Sequence, residues 1–448
     1  MPRCGLALWD PGYCGPWHAR PAGYARHSEG GVVMEPESNR DQLVWDWNSG
    51  PRDGSFAPGR VKLHDETLRD GLQAPSVTDP TIEEKKRLVE LADALGVYSI
   101  NIGLPGAGPR PRADTLELAK HIRDKKLTIK ASCAARTLRD DIRPIVEVSQ
   151  QVGIEIEVMA FVGASPIRQY VEGWTTDHIE RLSRTAIEFG VSEGLPVTYV
   201  TEDTTRSAPQ TLDTLFKSAI DAGAHRLCLC DTCGHATPSG ARRLIQFTRN
   251  LLDDIGSDAG IDWHGHDDRG LALTNALRAA EYGADRIHGT ALGIGERVGN
   301  APLDLLLVNL VLLGAVEPKE LAALVEFCEL SSTALGVPIP IDYPVFGADA
   351  FRTATGVHAA AVVKAQLKGD DWLADRIYSG IPASMFGKHQ IIEVGPMSGL
   401  SNVRYWLSTH GIETSDATAR AVLARAKQSP RSLTDREIRL IVAGEDAA

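Results

Sequence analysis

His264 and His266, one residue apart in the stretch Trp263-His264-Gly265-His266-Asp267-Asp268-Arg269-Gly270, have the type and spacing to hold a cation. Side chains alternate along an extended segment, so residues at this separation project from one side and bring their imidazoles together. The residues ahead of the pair, Ala259 to Asp262, read as a short strand, and a helical pattern begins after Arg269-Gly270. The pair therefore sits where a strand ends, the place at which barrel and doubly wound enzymes keep their chemistry. Alone, such a pair is more often two hydrogen-bonded core histidines than a ligand set. Two other stretches can complete it. Asp65-Glu66-Thr67-Leu68-Arg69-Asp70-Gly71 offers the carboxylate of Asp70, and Gly293-Ile294-Gly295-Glu296-Arg297-Val298-Gly299-Asn300 offers the amide of Asn300. Two neutral imidazoles, a carboxylate and an amide oxygen make a borderline donor set that accepts Zn, Mn, Co or Mg and leaves positions open for substrate.

These stretches meet only if the chain between them folds back repeatedly, and its hydrophobic pattern does so. From Val61 a strand-helix alternation sets in. Strands are expected at Val61 to His64, Val97 to Ile102, Leu127 to Ala131, Ile154 to Val158, Pro196 to Val200, Arg226 to Cys230, Gly260 to Trp263 and Arg286 to Gly289, with helices between them. Such alternation implies a parallel sheet, and eight units over roughly 240 residues fit an α/β chain closed into a (β/α)8 TIM barrel better than an open doubly wound sheet. Closure makes strands seven, eight and one neighbours, so Asp70, His264, His266 and Asn300 can converge. The expected domains are a poorly ordered arm over 1–59, rich in Gly, Pro, Trp and Arg, and a catalytic barrel with a trailing helix over 60–336. A Pro-rich linker over 337–347 follows, then small, mainly helical C-terminal subdomains over 348–448.

Composition narrows the setting. With 43% apolar residues the chain can fill a sizeable core, and its formal charge of -12 argues against nucleic acid or an anionic membrane as the main partner. The sequence has no apolar run of membrane-spanning length and no signal-peptide order at its start, so a cytoplasmic protein is expected. Seven scattered cysteines suit a reducing compartment, with Cys228, Cys230 and Cys233 as core or loop thiols.

Leu68-Arg69-Asp70-Gly71, the His264 to Asp268 segment and the Gly293 to Asn300 loop together resemble the DRE-TIM metallolyase superfamily. The Gly-Glu-Arg-x-Gly-Asn form and the tail resemble its Claisen-condensing group, 2-isopropylmalate synthase with its homocitrate and citramalate synthase relatives. The resemblance covers Val61 to about Gly411 and implies that Asp70, His264, His266 and Asn300 bind a divalent metal while Arg69 polarises a substrate carbonyl. Thr201 to Arg206 looks like the S-x-E-D-x-x-R segment of the synthases, which implies that Glu202 is the acid/base carboxylate. Asp231-Thr232-Cys233-Gly234 resembles their D-T-x-G turn, with Thr232 on the substrate carboxylate. Thr355-Gly356-Val357-His358 resembles an S-G-x-H segment whose histidine serves the neighbouring subunit, and Tyr378 falls where these enzymes have a tyrosine.

The reaction so implied joins acetyl-CoA, or a similar acyl-CoA, to a 2-oxo acid and then hydrolyses the thioester. The implied assembly is a homodimer whose C-terminal subdomain contributes to the neighbouring site. Two departures stand out. Strand two of the superfamily usually ends in an acidic residue, where this chain has Asn101, so Arg69 either takes Asn101 as a neutral partner or meets a different substrate. Gly71-Leu72-Gln73 resembles the 3-hydroxy-3-methylglutaryl-CoA lyases, which leaves C–C bond cleavage as the alternative; the glycine-rich loop and the tail favour the synthase. Too few residues follow Gly411 for the leucine-binding domain of regulated synthases, so no feedback inhibition by leucine is expected.

Overall fold

The computed structural model describes residues 43–48, 54, 56, 59–317, 321–413 and 415–444. Most of the expected 1–59 arm lies outside the described residues. The chain divides into two units, Met1–Pro51 and Arg52–Ala448. In the first, Trp45 and Trp47 meet edge to face; the second carries every element below.

Eight parallel strands close into a barrel in sequence order. They are β1 Lys62–Asp65, β2 Ser99–Asn101, β3 Lys130–Arg136, β4 Ile156–Gly163, β5 Val197–Glu202, β6 Arg226–Asp231, β7 Gly260–Gly265 and β8 Arg286–Gly289. Closure is made between β1 and β8, where His64 lies opposite His288 and Asp65 opposite Gly289. The first barrel helix, α1 (Ile82–Ala94), starts in a capping box between Thr81 and Glu84, which satisfies backbone donors that a helix start leaves free. A second, α2 (Pro109–Lys125), ends at Lys126 in the left-handed conformation.

That ending explains one difference from the sequence pattern. Leu127 to Ile129 read as the start of β3, yet the amides of Thr128 and Ile129 bond to the Asp93 carboxylate and that of Leu127 to the Ile122 carbonyl. The segment is spent on the helix-to-strand turn, and β3 begins at Lys130.

Apolar side chains form one large core that includes Ile100, Ile142, Ile156, Ile187, Phe216 and Trp263. Within the barrel the filling is different: His64, Ser99, Glu157, Thr198, Asp262, Arg286 and His288 are all buried and polar. Burying so many such groups is tolerable only where each is bonded to another.

After the barrel come α9 (Leu303–Leu312), counting the helices in chain order, and α10 (Ala322–Leu335). Residues 337–347 are without helix or strand, and Tyr343 in this stretch donates its hydroxyl to Asp304 on α9 at 2.9 Å. A two-stranded sheet of β9 (Arg352–Thr353) and β10 (Ile391–Ile392) then joins short helices, among them α11 (Gly356–Leu367). A separate apolar cluster around Val394, Val403, Trp406, Leu407, Val422 and Ile438 holds the end of the chain. Among the described residues no helix is long and apolar enough to cross a membrane.

Candidate active site

At the C-terminal ends of the strands lies a cavity of about 450 Å³ whose lining includes Glu66, Arg69, Asp70, Asn101, Met159, Glu202, Thr232, His264, His266 and Glu296. Barrel enzymes do their chemistry on this face, because the loops there can vary without disturbing the sheet.

Asp70 Oδ2 lies 3.1 Å from His264 Nε2 and 3.5 Å from His266 Nε2. The two Nε2 atoms are 3.3 Å apart. Asn300 closes the group, its side-chain nitrogen donating to Asp70 Oδ2 at 2.9 Å. Burial pushes the Asp70 carboxyl up, but Arg69 and His264 outweigh it and hold the group well below the usual carboxylate range. Burial, with His264 adding to it, lowers the His266 imidazole to about 4 and so keeps it neutral.

The chemistry of this donor set suits a divalent cation. Lone-pair atoms crowded this closely repel one another unless a proton or cation lies among them. Asn300 Oδ1 is buried without a hydrogen-bond partner, and half a turn of the amide would present it to the group. Backbone geometry supports that placement. Gly295 packs so tightly on Asn300 that a Cβ there would overlap the amide oxygen, and Gly299, at φ +94°, would drive one into the Gly293 carbonyl. His266 and Asn300 also pair across an isolated antiparallel bridge, which fixes the two side chains relative to each other.

Two further groups of possible ligands lie deeper: His64, Glu66 and His288, and Cys228, Asp262 and His288. Their carboxylates already carry cations. Glu66 Oε2 accepts from Arg69 Nε at 2.7 Å, and Asp262 Oδ2 accepts from Arg286 Nε at 2.8 Å and lies 3.1 Å from His288 Nε2. Burial lowers His288, but its bonds to Asp262 and Glu66 outweigh that and raise it. Burial drives the Cys228 thiol well above its usual range, which disfavours the thiolate that a metal needs. Of the three groups, Asp70, His264 and His266 suit a metal best.

Around this group stand the other residues singled out in the sequence. Arg69 is bound by Glu66, with Asp70 Oδ2 3.7 Å from its Nη1. Asn101 is not its partner. Asn101 Oδ1 accepts from the Gly103 amide at 3.2 Å, and Asn101 Nδ2 faces Met159 Sδ at 3.7 Å. Glu202 ends β5 with Arg168 Nη2 at 3.9 Å, and burial pushes its carboxyl up. Thr232 accepts from the Asp203 amide at 2.8 Å, so its hydroxyl proton is left for a group in the cavity. The turn that carries it is held by Asp231, which accepts from the amides of His235 and Ala236 and from the Thr205 hydroxyl. Arg297 braces the glycine-rich loop on Asp268 and on the Thr232 carbonyl.

His358 and Tyr378 are not brought to this cavity within the chain. They stack on each other in the C-terminal part, ring centroids 4.1 Å apart. Missing from the sequence reading were His64, Glu66 and His288. Glu66 lies inside the motif that supplies Arg69 and Asp70, and its position three residues before Arg69 is the signal that could have found it.

Comparison with known proteins agrees with this fold. The profile of the HMGL-like family matches residues 60–334. A homocitrate synthase of Methanopyrus kandleri is 31% identical over 386 residues, which cover 86% of this chain and 90% of that protein. A homocitrate synthase of Sulfolobus acidocaldarius is 30% identical over 86% of this chain and 79% of its own length. A probable 2-isopropylmalate synthase of Methanopyrus kandleri is also 30% identical, over 83% and 70% respectively. Among solved structures, the hydroxymethylglutaryl-CoA lyase of Pseudomonas aeruginosa superimposes with a TM-score of 0.52 at 21% identity, covering 62% of this chain and 94% of that one. At that identity the likeness is one of fold.

Proposed function

The chain belongs to the HMGL-like family, and we propose that it is a condensing synthase of the 2-isopropylmalate type, joining acetyl-CoA or a similar acyl-CoA to a 2-oxo acid. The observation that carries this reading is the gathering of Asp70, His264 and His266 beside Arg69, Glu202 and Thr232 in one cavity. Relatives named as synthases match through the C-terminal part as well as the barrel, which supports condensation over lyase-type cleavage. We infer a homodimer in which His358 and Tyr378 serve the neighbouring site.

A divalent cation held by Asp70, His264, His266 and Asn300 would supply Lewis acidity toward the oxygens of a bound oxo acid. Thr232 donates its hydroxyl proton to the acceptor's carboxylate and fixes its orientation. Arg69 faces the keto oxygen and offsets the negative charge that gathers there as the new bond forms. A base takes a proton from the acyl methyl, that carbon bonds to the keto carbon, and the keto electron pair moves to oxygen, which is protonated. Water then adds to the thioester, the C–S bond breaks and CoA leaves as the thiol. Glu202, with a carboxyl whose proton affinity burial has raised, suits the transfer of these protons.

Leu104, Ala134, Met159, Phe161 and Val200 also line the cavity, and among the described residues lining it Arg69 is the sole arginine or lysine. That favours an acceptor with an uncharged aliphatic substituent and a 2-alkylmalate product. The test is thiol release from acetyl-CoA with a panel of 2-oxo acids and the metal-loaded protein. Release is expected with aliphatic acceptors and to be at least about 100-fold slower with an acceptor bearing a second carboxylate. Cleavage of a 3-hydroxyacyl-CoA to acetyl-CoA and a carbonyl product, with no acceptor and no free thiol, would overturn the synthase reading in favour of a lyase.

A further inference from the structure

We propose that Glu66 is the positioning residue for Arg69, taking the part that an acidic residue at the end of β2 would play and that Asn101 does not. The inference rests on the reading of Arg69 as the group that faces the keto oxygen.

Glu66 is only 1% exposed and follows directly on β1. Its Oε2 takes both Arg69 Nε and Nη2 at 2.7 Å. Its Oε1 lies 3.2 Å from His64 Nε2 and 3.4 Å from His288 Nδ1. Each carboxylate oxygen is thus engaged from its own side, and the group cannot turn without leaving buried nitrogens unpaired. Arg69 has only looser holds besides, with Gln73 Oε1 at 3.5 Å and Asp70 Oδ2 at 3.7 Å from its Nη1. A side chain with that much rotamer freedom needs such an anchor before it can meet a forming charge at a fixed point.

The anchor is itself supported from below. His288 passes from Glu66 to Asp262, Asp262 accepts from Arg286, and Arg286 donates to Glu157 at 2.7 and 2.8 Å. Carboxylates therefore alternate with arginines and an imidazole up the barrel interior, ending at Arg69. In a medium that screens little, such a ladder fixes the uppermost cation more firmly than one isolated pair.

The competing account makes His64, Glu66 and His288 a second metal site. It would require a cation to share Glu66 with Arg69 and to displace His288 from its present bonds, so one metal ion per chain is expected.

Glu66→Gln and Glu66→Asp in the full-length, metal-loaded protein test the proposal. Glutamine keeps the size but loses the charge; aspartate keeps the charge but withdraws it from Arg69, and guards against a glutamine variant that fails to fold. Crystal structures of either variant are expected to have the Arg69 guanidinium turned away from its present place, with one metal ion per chain retained. With the acceptor identified by the panel above, kcat should fall roughly 100- to 1,000-fold in Glu66→Gln and less in Glu66→Asp, while KM for acyl-CoA is unchanged. An Arg69 that stays in place in both variants, an unaltered kcat, or two metal ions per chain in the wild-type protein overturns the proposal. If the wild-type protein releases thiol with no acceptor in the panel, the functional reading fails, and the Arg69 orientation still decides the role of Glu66.

Discussion

His358 stacks on Tyr378 with ring centroids 4.1 Å apart and planes inclined by 30°, and neither ring lines the cavity that holds Asp70, His264 and Glu202. The pair stands in an exposed apolar setting, with Val357 at 72% and Tyr378 at 49% exposure. If this surface meets the barrel mouth of a second copy, two damaged proteins can repair each other. Asp70→Ala and His358→Ala should each be nearly inactive, and a refolded equimolar mixture should regain about one quarter of wild-type activity, since half the dimers carry one intact site of two. A mixture no more active than its components would sink the shared-site arrangement.

Removal of metal gives a second expectation. Because the cation binds the folded site alone, it stabilises the protein by an amount set by its concentration, about 3 kcal/mol at a hundredfold excess over Kd. Chelation should therefore lower Tm and abolish thiol release, and both should return on adding Zn, Mn, Co or Mg. His266→Ala should weaken metal binding by more than the roughly 10- to 100-fold that losing an outer partner costs. Metal content that is unchanged in His266→Ala would remove this residue from the ligand set.

The barrel and the Asp70, His264 and His266 cluster were legible in the sequence because each rests on a local signal that closure then assembles. Strand-helix alternation predicts the barrel, and the H-x-H spacing puts two imidazoles on one side of β7. Glu66 stands three residues before Arg69, but its role also depends on His64, His288 and Asp262, which come from three strands and share no spacing. Asn101 was legible as an anomaly but not as a structure, since its bond to the Gly103 amide is made by a turn that no residue pattern announces. Leu127 to Ile129 looked like strand because they are apolar or β-branched, but the Asp93 carboxylate on a neighbouring helix claims the amides of Thr128 and Ile129, and the Ile122 carbonyl that of Leu127.

Glu202 offers a test by pH. Burial pushes its carboxyl up while Arg168 opposes the shift. As a base it works only when ionised, so kcat/KM should fall as pH drops through a value above the ordinary glutamate range. Glu202→Gln should cost about 100- to 10,000-fold in kcat, and Arg168→Met, by removing the opposing charge, should move the acid limb to higher pH. An acid limb that stays put in Glu202→Gln would assign it to another group.

Glu157 and Arg286 make the acid stability of the barrel predictable. Burial alone would raise the Glu157 carboxyl, but the two Arg286 bonds outweigh it and lower it from 4.5 to about 2. Its value is thus lower in the folded than in the unfolded chain, so on acidification the unfolded chain takes up this proton first. The associated stability is present in full above pH 4.5 and is lost as pH falls from there toward 2, amounting to about 3 kcal/mol. Glu157→Gln should remove that part of the acid limb. It should also cost roughly 3 to 5 kcal/mol at neutral pH, because one contact of a buried guanidinium is left without its counter-charge. Urea unfolding at pH 7, 4.5 and 3 measures both effects, and a variant whose stability falls with acid as steeply as the wild type would show that the Glu157–Arg286 pair contributes nothing to the pH dependence.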